Sequence, residues 1–241
     1  MSKSVVIKGG TILNQNGELR ADVRIENERI VEIGTNLDAD IKLDASGCIV
    51  TSGFVDLHAH LREPGKEEAE TIETGSRAGA LGGYTALVAM PNTDPPQDSV
   101  AVIDFVREQG KRAGLVDVIP SGCITLGRQG ETLAPMAELS QAGVNFFTDD
   151  GFGVQDASLM RRALEYARGL GVTLAQHCEV AELTKGAVMS ECQCCTDLGL
   201  PGWPAIAEEL MVFRDIELVR ITGATMHFLH LSTARSVELV R

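Results

Sequence analysis

At 241 residues, with 44% hydrophobic residues, 4% aromatics and 25 glycines, the chain suits one large α/β domain, or a barrel with a small appendage, whose buried parallel strands and covering helices are built mainly from Ala, Val, Leu and Ile. Its net charge of −13 and pI near 4.8, with no run of Lys or Arg, argue against nucleic acid as a partner; a small anionic substrate fits only where local cations or metals reverse the field inside one pocket. The first apolar run, Val5-Val6-Ile7, is too short for a signal-peptide core and no later run approaches a membrane span, so a cytoplasmic protein with reduced cysteines and no membrane association is expected.

From Val5 to Thr51 the apolar segments are short: Val5–Ile7, Ala21–Ile25, Ile30–Ile33 and Cys48–Val50, separated by turn signals at Gly9-Gly10, Asn14-Gln15-Asn16-Gly17 and Ser46-Gly47. This pattern predicts a small β-sheet unit over residues 1–51. After Ser52 strand and helix alternate. Strands are predicted at Phe54–Leu57, Ala86–Ala89, Val116–Ile119, Val144–Phe147, Val172–Ala175 and Thr225–Leu229, and helices at Thr71–Leu81, Ser99–Ala113, Met136–Gln141, Ala157–Leu170 and Pro204–Thr222. A glycine lies just past the end of each of these helices, at Gly82, Gly114, Gly143, Gly171 and Gly223, a common helix stop signal. The fold class expected is therefore α/β: an incomplete TIM (β/α)8-type barrel over residues 52–241, with about six βα units and without strands seven and eight. An open doubly wound sheet is the alternative, but its nucleotide-binding form needs Gly-x-Gly-x-x-Gly, and Gly151-Phe152-Gly153 supplies only the first two positions.

Among the six cysteines, Cys48, Cys123 and Cys178 sit in or beside apolar runs, the usual place for inert buried thiols. Cys192 and Cys195 form a lone C-x-x-C beside Cys194; a structural zinc site needs about four ligands, so without a second pair the signal for a functional cluster is weak.

The chemistry concentrates at strand ends. His58-Ala59-His60 directly follows Phe54-Val55-Asp56-Leu57, and residues i and i+2 of an extended segment point the same way, so both rings can reach one ion at roughly 2.0–2.1 Å. Two surface histidines would give the same pattern. Of the five histidines, however, His58, His60, His177 and His230 all lie at or just past the C-terminal ends of strand-like runs, the face where a barrel builds its active site. His227, inside its strand, reads as a packed or supporting residue. The pair Asp149-Asp150 follows Val144–Phe147 in the same manner. Adjacent acids in a turn commonly solvate a loop or cap a helix, but on this face one of them can supply the anion that bridges two dications.

The run His58-Ala59-His60-Leu61-Arg62-Glu63-Pro64-Gly65, with Met90-Pro91-Asn92-Thr93, Phe147-Thr148-Asp149-Asp150-Gly151, Gln176-His177-Cys178-Glu179, Leu200-Pro201-Gly202 and His230-Leu231-Ser232-Thr233-Ala234, resembles the class I dihydroorotases of the amidohydrolase superfamily. These enzymes of pyrimidine biosynthesis interconvert dihydroorotate and N-carbamoyl-aspartate. The resemblance implies a metal-dependent amidohydrolase barrel preceded by part of a composite β-sandwich. It also implies two Zn2+ ions, with His58 and His60 on the first, His177 and His230 on the second, and Asp150 as the bridge. The choice of Asp150 over Asp149 rests on the motif alone. Some relatives bridge with a carboxylated Lys; Asp here favours the dihydroorotase branch. By the same resemblance His60, Arg62 and Asn92 bind substrate, Arg62 as a two-pronged donor to its carboxylate, the alternative for Arg62 being an ion pair with Glu63 or Glu67. Zinc would bring water towards deprotonation at neutral pH while the second cation polarises the ring amide carbonyl.

In the family the general acid is an Asp after the eighth strand, which falls beyond Arg241, so no catalytic acid is expected within residues 1–241 and this chain alone is expected to be feeble or inactive. Exposed edges of an unclosed barrel favour association, as a homodimer or with aspartate transcarbamoylase, with which family members associate. Two other readings are an allantoinase or hydantoinase, where a neutral ring removes the need for Arg62, and a non-catalytic dihydroorotase-like partner subunit.

Overall fold

The computed structural model describes residues 3–241; Met1 and Ser2, which the expected β-unit includes, lie outside the described residues. The chain divides into two compact units, one ending at Phe54 and the other running from Val55 to Arg241.

The first unit is built from β1 (Val5–Lys8), β2 (Thr11–Asn14), β3 (Gly17–Arg20), β4 (Asp22–Glu26), β5 (Arg29–Gly34), β6 (Ile41–Asp44) and β7 (Ile49–Val50). They form two sheets, in the orders β5-β4-β1-β6 and β3-β2-β7. The turn signal at Asn14–Gly17 closes the β2–β3 hairpin, in which Asn14 opposes Gly17. Buried Ile12, Ala21 and Val23 form one cluster, with Ile7, Ile25 and Val50 packed against it. The apolar pattern did not single out β2, β3 or β6. Each is four residues long; β3 and β6 are exposed throughout and β2 buries only Ile12, and β6 exists through pairing in parallel with the distant β1. Cys48 also departs from expectation. It is exposed, because it sits in the turn closed by its N–H to the Ala45 carbonyl at 2.9 Å rather than on a buried face.

The second unit alternates strand and helix: β8 (Phe54–Ala59), α1 (Ile72–Leu81), β9 (Tyr84–Ala89), α2 (Val100–Ala113), β10 (Asp117–Pro120), α3 (Met136–Gln141), β11 (Phe146–Thr148), α4 (Ala157–Leu170), β12 (Thr173–Gln176), α5 (Ala181–Thr184), β13 (Met189–Ser190), α6 (Gln193–Leu198), β14 (Gly202–Trp203), α7 (Ile206–Thr222), β15 (Thr225–Phe228) and α8 (Ala234–Val240). Strand neighbours follow chain order, β8-β9-β10 and β11-β12-β15. The β9–β10, β11–β12 and β12–β15 pairs are parallel, and a parallel bridge between Gly122 and Phe147 links the two triplets.

Helix α4 shows why these segments fold as they do. Asp156 caps its start by accepting from the Leu159 N–H at 2.6 Å, Gly171 ends it at φ 71°, and Leu159, Met160, Ala163, Leu164 and Ala167 bury one stripe, the spacing of a core-facing helix. That stripe packs in a cluster with Ile124, Met136, Leu139, Phe147 and Leu174. Leu164 is fully buried there, so Leu164→Ala should cost about 2–5 kcal/mol, read as a lowered denaturant midpoint with an unchanged slope.

Helix α7 starts at Ile206, later than its apolar pattern suggested, because Pro204 belongs to the preceding turn and its carbonyl accepts from the Ala207 N–H. The short elements α5, β13, α6 and β14 carry no periodicity of their own; β13 and β14 pair in parallel, Met189 with Gly202 and Ser190 with Trp203. No helix among the described residues is long and apolar enough to cross a membrane.

Candidate metal centre

The strand order brings the ends of β8, β11, β12 and β15 to one place. Asp150, 2% exposed, stands between two pairs of imidazoles. Its Oδ2 lies 3.5 Å from Nε2 of both His58 and His60, and those two nitrogens are 3.1 Å apart. Its Oδ1 lies 3.4 Å from His177 Nδ1 and 3.5 Å from His230 Nε2, and that pair is 3.0 Å apart. Two triangles of donors therefore share one carboxylate through different oxygens. They are also the groups of three or more close donors found among the described residues.

These edges fit a metal. Ligand atoms held about 2.0–2.1 Å from a tetrahedral ion lie about 3.3–3.4 Å from each other. Two rings also have their protons turned away from the centre: His60 Nδ1 faces Asn92 Oδ1 at 3.0 Å, and His177 Nε2 faces Glu179 Oε2 at 2.9 Å. Each outer acceptor takes the N–H, leaving the inner nitrogen a lone pair.

Burial works to raise the Asp150 carboxyl, but His177, His230 and His58 around it override that and hold it far below the usual carboxylate range. Burial lowers His60, against the pull of Asn92 and Asp150. His177 is also penalised by burial, yet Asp150 and Glu179 lift it above its ordinary value. The surrounding imidazoles thus favour the ionised form of the Asp150 carboxyl.

Asp149 points elsewhere. Its Oδ1 accepts from the Ile124 and Thr125 N–H groups at 2.8 and 3.0 Å, and its other oxygen from the Thr125 hydroxyl, so it ties two loops together. Of the adjacent acids, Asp150 is the one among the histidines.

Arg62 and Asn92 meet through their loops. Gly65 (φ 97°) lies so close to Asp94 that a Cβ there would stand 2.2 Å from the Asp94 carbonyl oxygen, and the Asp94 N–H donates to the Pro64 carbonyl at 2.9 Å. Arg62 itself adopts φ 61° and His230 φ 30°, left-handed conformations that cost non-glycine residues energy and cluster at functional sites. The acids weighed as partners for Arg62 are occupied: Glu63 accepts from the Ile72 N–H and Glu67 from the Gly65 N–H, both at 2.8 Å. No ion pair or hydrogen bond of the Arg62 side chain occurs among the described residues. His227 stands apart from the cluster, half-buried with its ring 5.9 Å from that of Phe146. Cys123 and Cys178 are buried, and burial raises both thiols.

The sequence reading assigned no role to Glu179, Glu208, Asp215 or Arg128. Glu179 follows His177 by two residues, in a tight turn that its own N–H closes on the His177 carbonyl at 3.1 Å, a conformation the spacing alone does not reveal. The others act across long separations. Asp215, fully buried on α7, accepts from Gln176 Nε2 and Arg214 Nε, each at 2.8 Å, which fixes the residue before His177. Glu208, also on α7, accepts from the Ser232 N–H and hydroxyl at 2.9 and 2.8 Å and from the Thr233 N–H at 3.0 Å, anchoring the loop that follows His230. Both His177 and His230 border a 760 Å³ cleft with Trp203 and Glu208.

Burial raises the Glu208 carboxyl, but Ser236, Ser232 and the Thr233 amide together hold it below its ordinary value. A carboxyl depressed by folding stabilises above its unfolded pKa, and that stability is lost as pH falls through the folded value. Glu208→Gln should therefore lower thermal stability at neutral pH, with the gap to the parent closing in acid; melting curves across pH check this.

The sequence matches the family described as "Dihydro-orotase-like" over residues 47–236. It is 50% identical to a dihydroorotase of Mycobacterium tuberculosis, over 99% of this chain and 56% of that protein. It is 46% identical to a dihydroorotase of Streptomyces coelicolor, over 100% of this chain and 56% of that protein. The chain thus spans little more than half the length of the relatives it matches. In structure it resembles an L-hydantoinase (dihydropyrimidinase) from Arthrobacter aurescens, with a TM-score of 0.81 at 20% identity over 99% of this chain and 55% of that one, which shows the α/β amidohydrolase-type fold. With most of its length inside the family match, the chain belongs to the dihydro-orotase-like family.

Proposed function

We propose that this chain carries the dinuclear zinc site and the carboxylate-binding half of the substrate pocket of a dihydroorotase, which opens the cyclic amide of dihydroorotate to N-carbamoyl-aspartate and closes it again. The observation that carries the reading is the Asp150 carboxylate shared, one oxygen each, between the His58/His60 and His177/His230 pairs. In this reading the second unit is six consecutive strands of a (β/α)8 barrel and the first unit part of a β-sandwich. Exposed Phe54, Val55 and Leu57 on β8 are the surface a further barrel strand and helix would cover.

His58, His60 and Asp150 would hold one zinc ion, and Asp150, His177 and His230 the other. Bound there, the ions supply activation of water at neutral pH and polarisation of the amide carbonyl. The chain's own residues prepare the site. Asn92 Oδ1 and Glu179 keep the His60 and His177 protons on their outer nitrogens, so both inner nitrogens stay available. Asp150 brings one negative charge between two cations. Asn92, its oxygen engaged by His60, has Nδ2 left to donate, and Arg62 offers an unpaired planar fork; together they suit a carboxylate on the ring. A carboxylated ring is therefore favoured over a neutral hydantoin.

The test is metal content together with ring opening in the protein that carries this chain. About two zinc ions per chain and hydrolysis of dihydroorotate in preference to hydantoin and allantoin are expected. No bound transition metal would sink the reading, and a preference for the neutral rings would move it to a hydantoinase.

A further inference from the structure

A bridging carboxylate is only as well placed as the peptide that carries it, and Asp150 is followed by Gly151 at φ 85°, a residue with little steric resistance to rotation. What holds that peptide comes from the loop after β10. Arg128 Nη2 donates to the Asp150 carbonyl oxygen at 2.5 Å, and its guanidinium carbon lies 5.1 Å over the Phe152 ring. Glycine at 151 leaves room for this, since a Cβ there would stand 3.2 Å from Arg128 Nη2. Arg128 is itself in a left-handed conformation, φ 57°, after Gly127 at φ 60°, and the Gly127 N–H is tied to Asp98 Oδ2 at 2.8 Å.

The Arg128 guanidinium acts on the Asp149 carboxyl only through space, helping to offset the burial that raises it. No ion pair of Arg128 occurs among the described residues, and its enclosed Nε makes no hydrogen bond. Arg128 is half-buried, and with no hydrogen-bonded carboxylate its donors are directed at the backbone instead. Asp149, through Ile124 and Thr125, already joins the same two loops. Arg128 adds something different: one Nη2 donor on the Asp150 carbonyl and a stacked ring on the next residue but one, gripping the peptide on the far side of Asp150 from its anchor at Thr148, whose hydroxyl accepts the Asp150 N–H at 3.1 Å.

We propose that Arg128 is a positioning residue for the bridging carboxylate: by holding the Asp150 carbonyl and stacking on Phe152 it fixes the rotation at which Oδ1 faces His177 and His230 while Oδ2 faces His58 and His60. This rests on the metal reading above. Loss of the clamp loosens the bridge without removing any ligand.

The experiment loads the protein with Co2+ and compares Arg128→Gln and Arg128→Lys with the parent, by chelator competition and by the visible absorption of the bound cobalt. Removing an outer contact of a metal ligand typically weakens metal binding about 10- to 100-fold. Arg128→Gln is expected in that range with a changed cobalt spectrum, and Arg128→Lys, which keeps one charged donor, between it and the parent. A folded Arg128→Gln with parental affinity and spectrum would overturn the proposal, because a merely structural role moves the folded fraction and not the spectrum. If that variant does not fold, Phe152→Leu removes only the stacking at a ring already 62% exposed; it should weaken cobalt binding roughly two- to fivefold, and an unchanged affinity overturns the proposal. A parent that binds no cobalt would overturn the metal reading and this inference with it.

Discussion

Asp150→Asn is expected to reduce bound zinc from about two ions per chain to one or fewer, with affinity falling at least about 100-fold. The substitution keeps the shape but removes the negative charge that, on the reading proposed above, would lie between two cations. It also presents an NH2 group, which cannot act as a ligand, to one pair of imidazoles. Asp149→Asn is the matched control: its oxygens serve the Ile124 and Thr125 amides, so it should lower the melting temperature and leave the zinc stoichiometry unchanged. Metal analysis after exhaustive dialysis reads both. If Asp149→Asn lost the metal and Asp150→Asn kept it, the bridge would be assigned to the wrong acid.

Arg62→Met should weaken binding of dihydroorotate by about 2–4 kcal/mol, roughly 30- to 1000-fold, since on the proposed reading it would delete one partner of a charge pair with the substrate carboxylate. Hydantoin, which lacks the carboxylate, should bind the variant as it binds the parent. Calorimetric titration of both ligands into zinc-loaded protein separates loss of this contact from general damage, which would weaken the two alike. Equal losses would return Arg62 to a structural role. Its lack of an internal partner and its φ of 61° are the reasons to expect the selective outcome, because strain and an unpaired charge persist where a ligand completes them.

The alternating strands and helices of the second unit were legible because each helix buries a stripe at its own period and stops at glycine, as α4 does from Asp156 to Gly171. The histidines were legible for a related reason. Four of them fall at strand ends, and a parallel sheet sends all such ends to one face. Strands β2, β3 and β6 were not, since four residues of which at most one is buried carry almost no periodic signal, and β6 pairs with the distant β1.

What the sequence determined by itself is local: which segments extend, which coil, where they stop, and which imidazoles emerge together as His58 and His60 do. What only the tertiary structure decided is which of two adjacent acids turns towards those rings, what holds them, and what does not. Asp149 and Asp150 are chemically identical and differ by one residue, so no pattern separates them. Asp149 turns away because the backbone amides of Ile124 and Thr125 wait on its side, and the carbonyl of Asp150 is gripped by Arg128 from the other loop. Those contacts join residues more than twenty positions apart, and such pairings are fixed by packing, not by spacing along the chain.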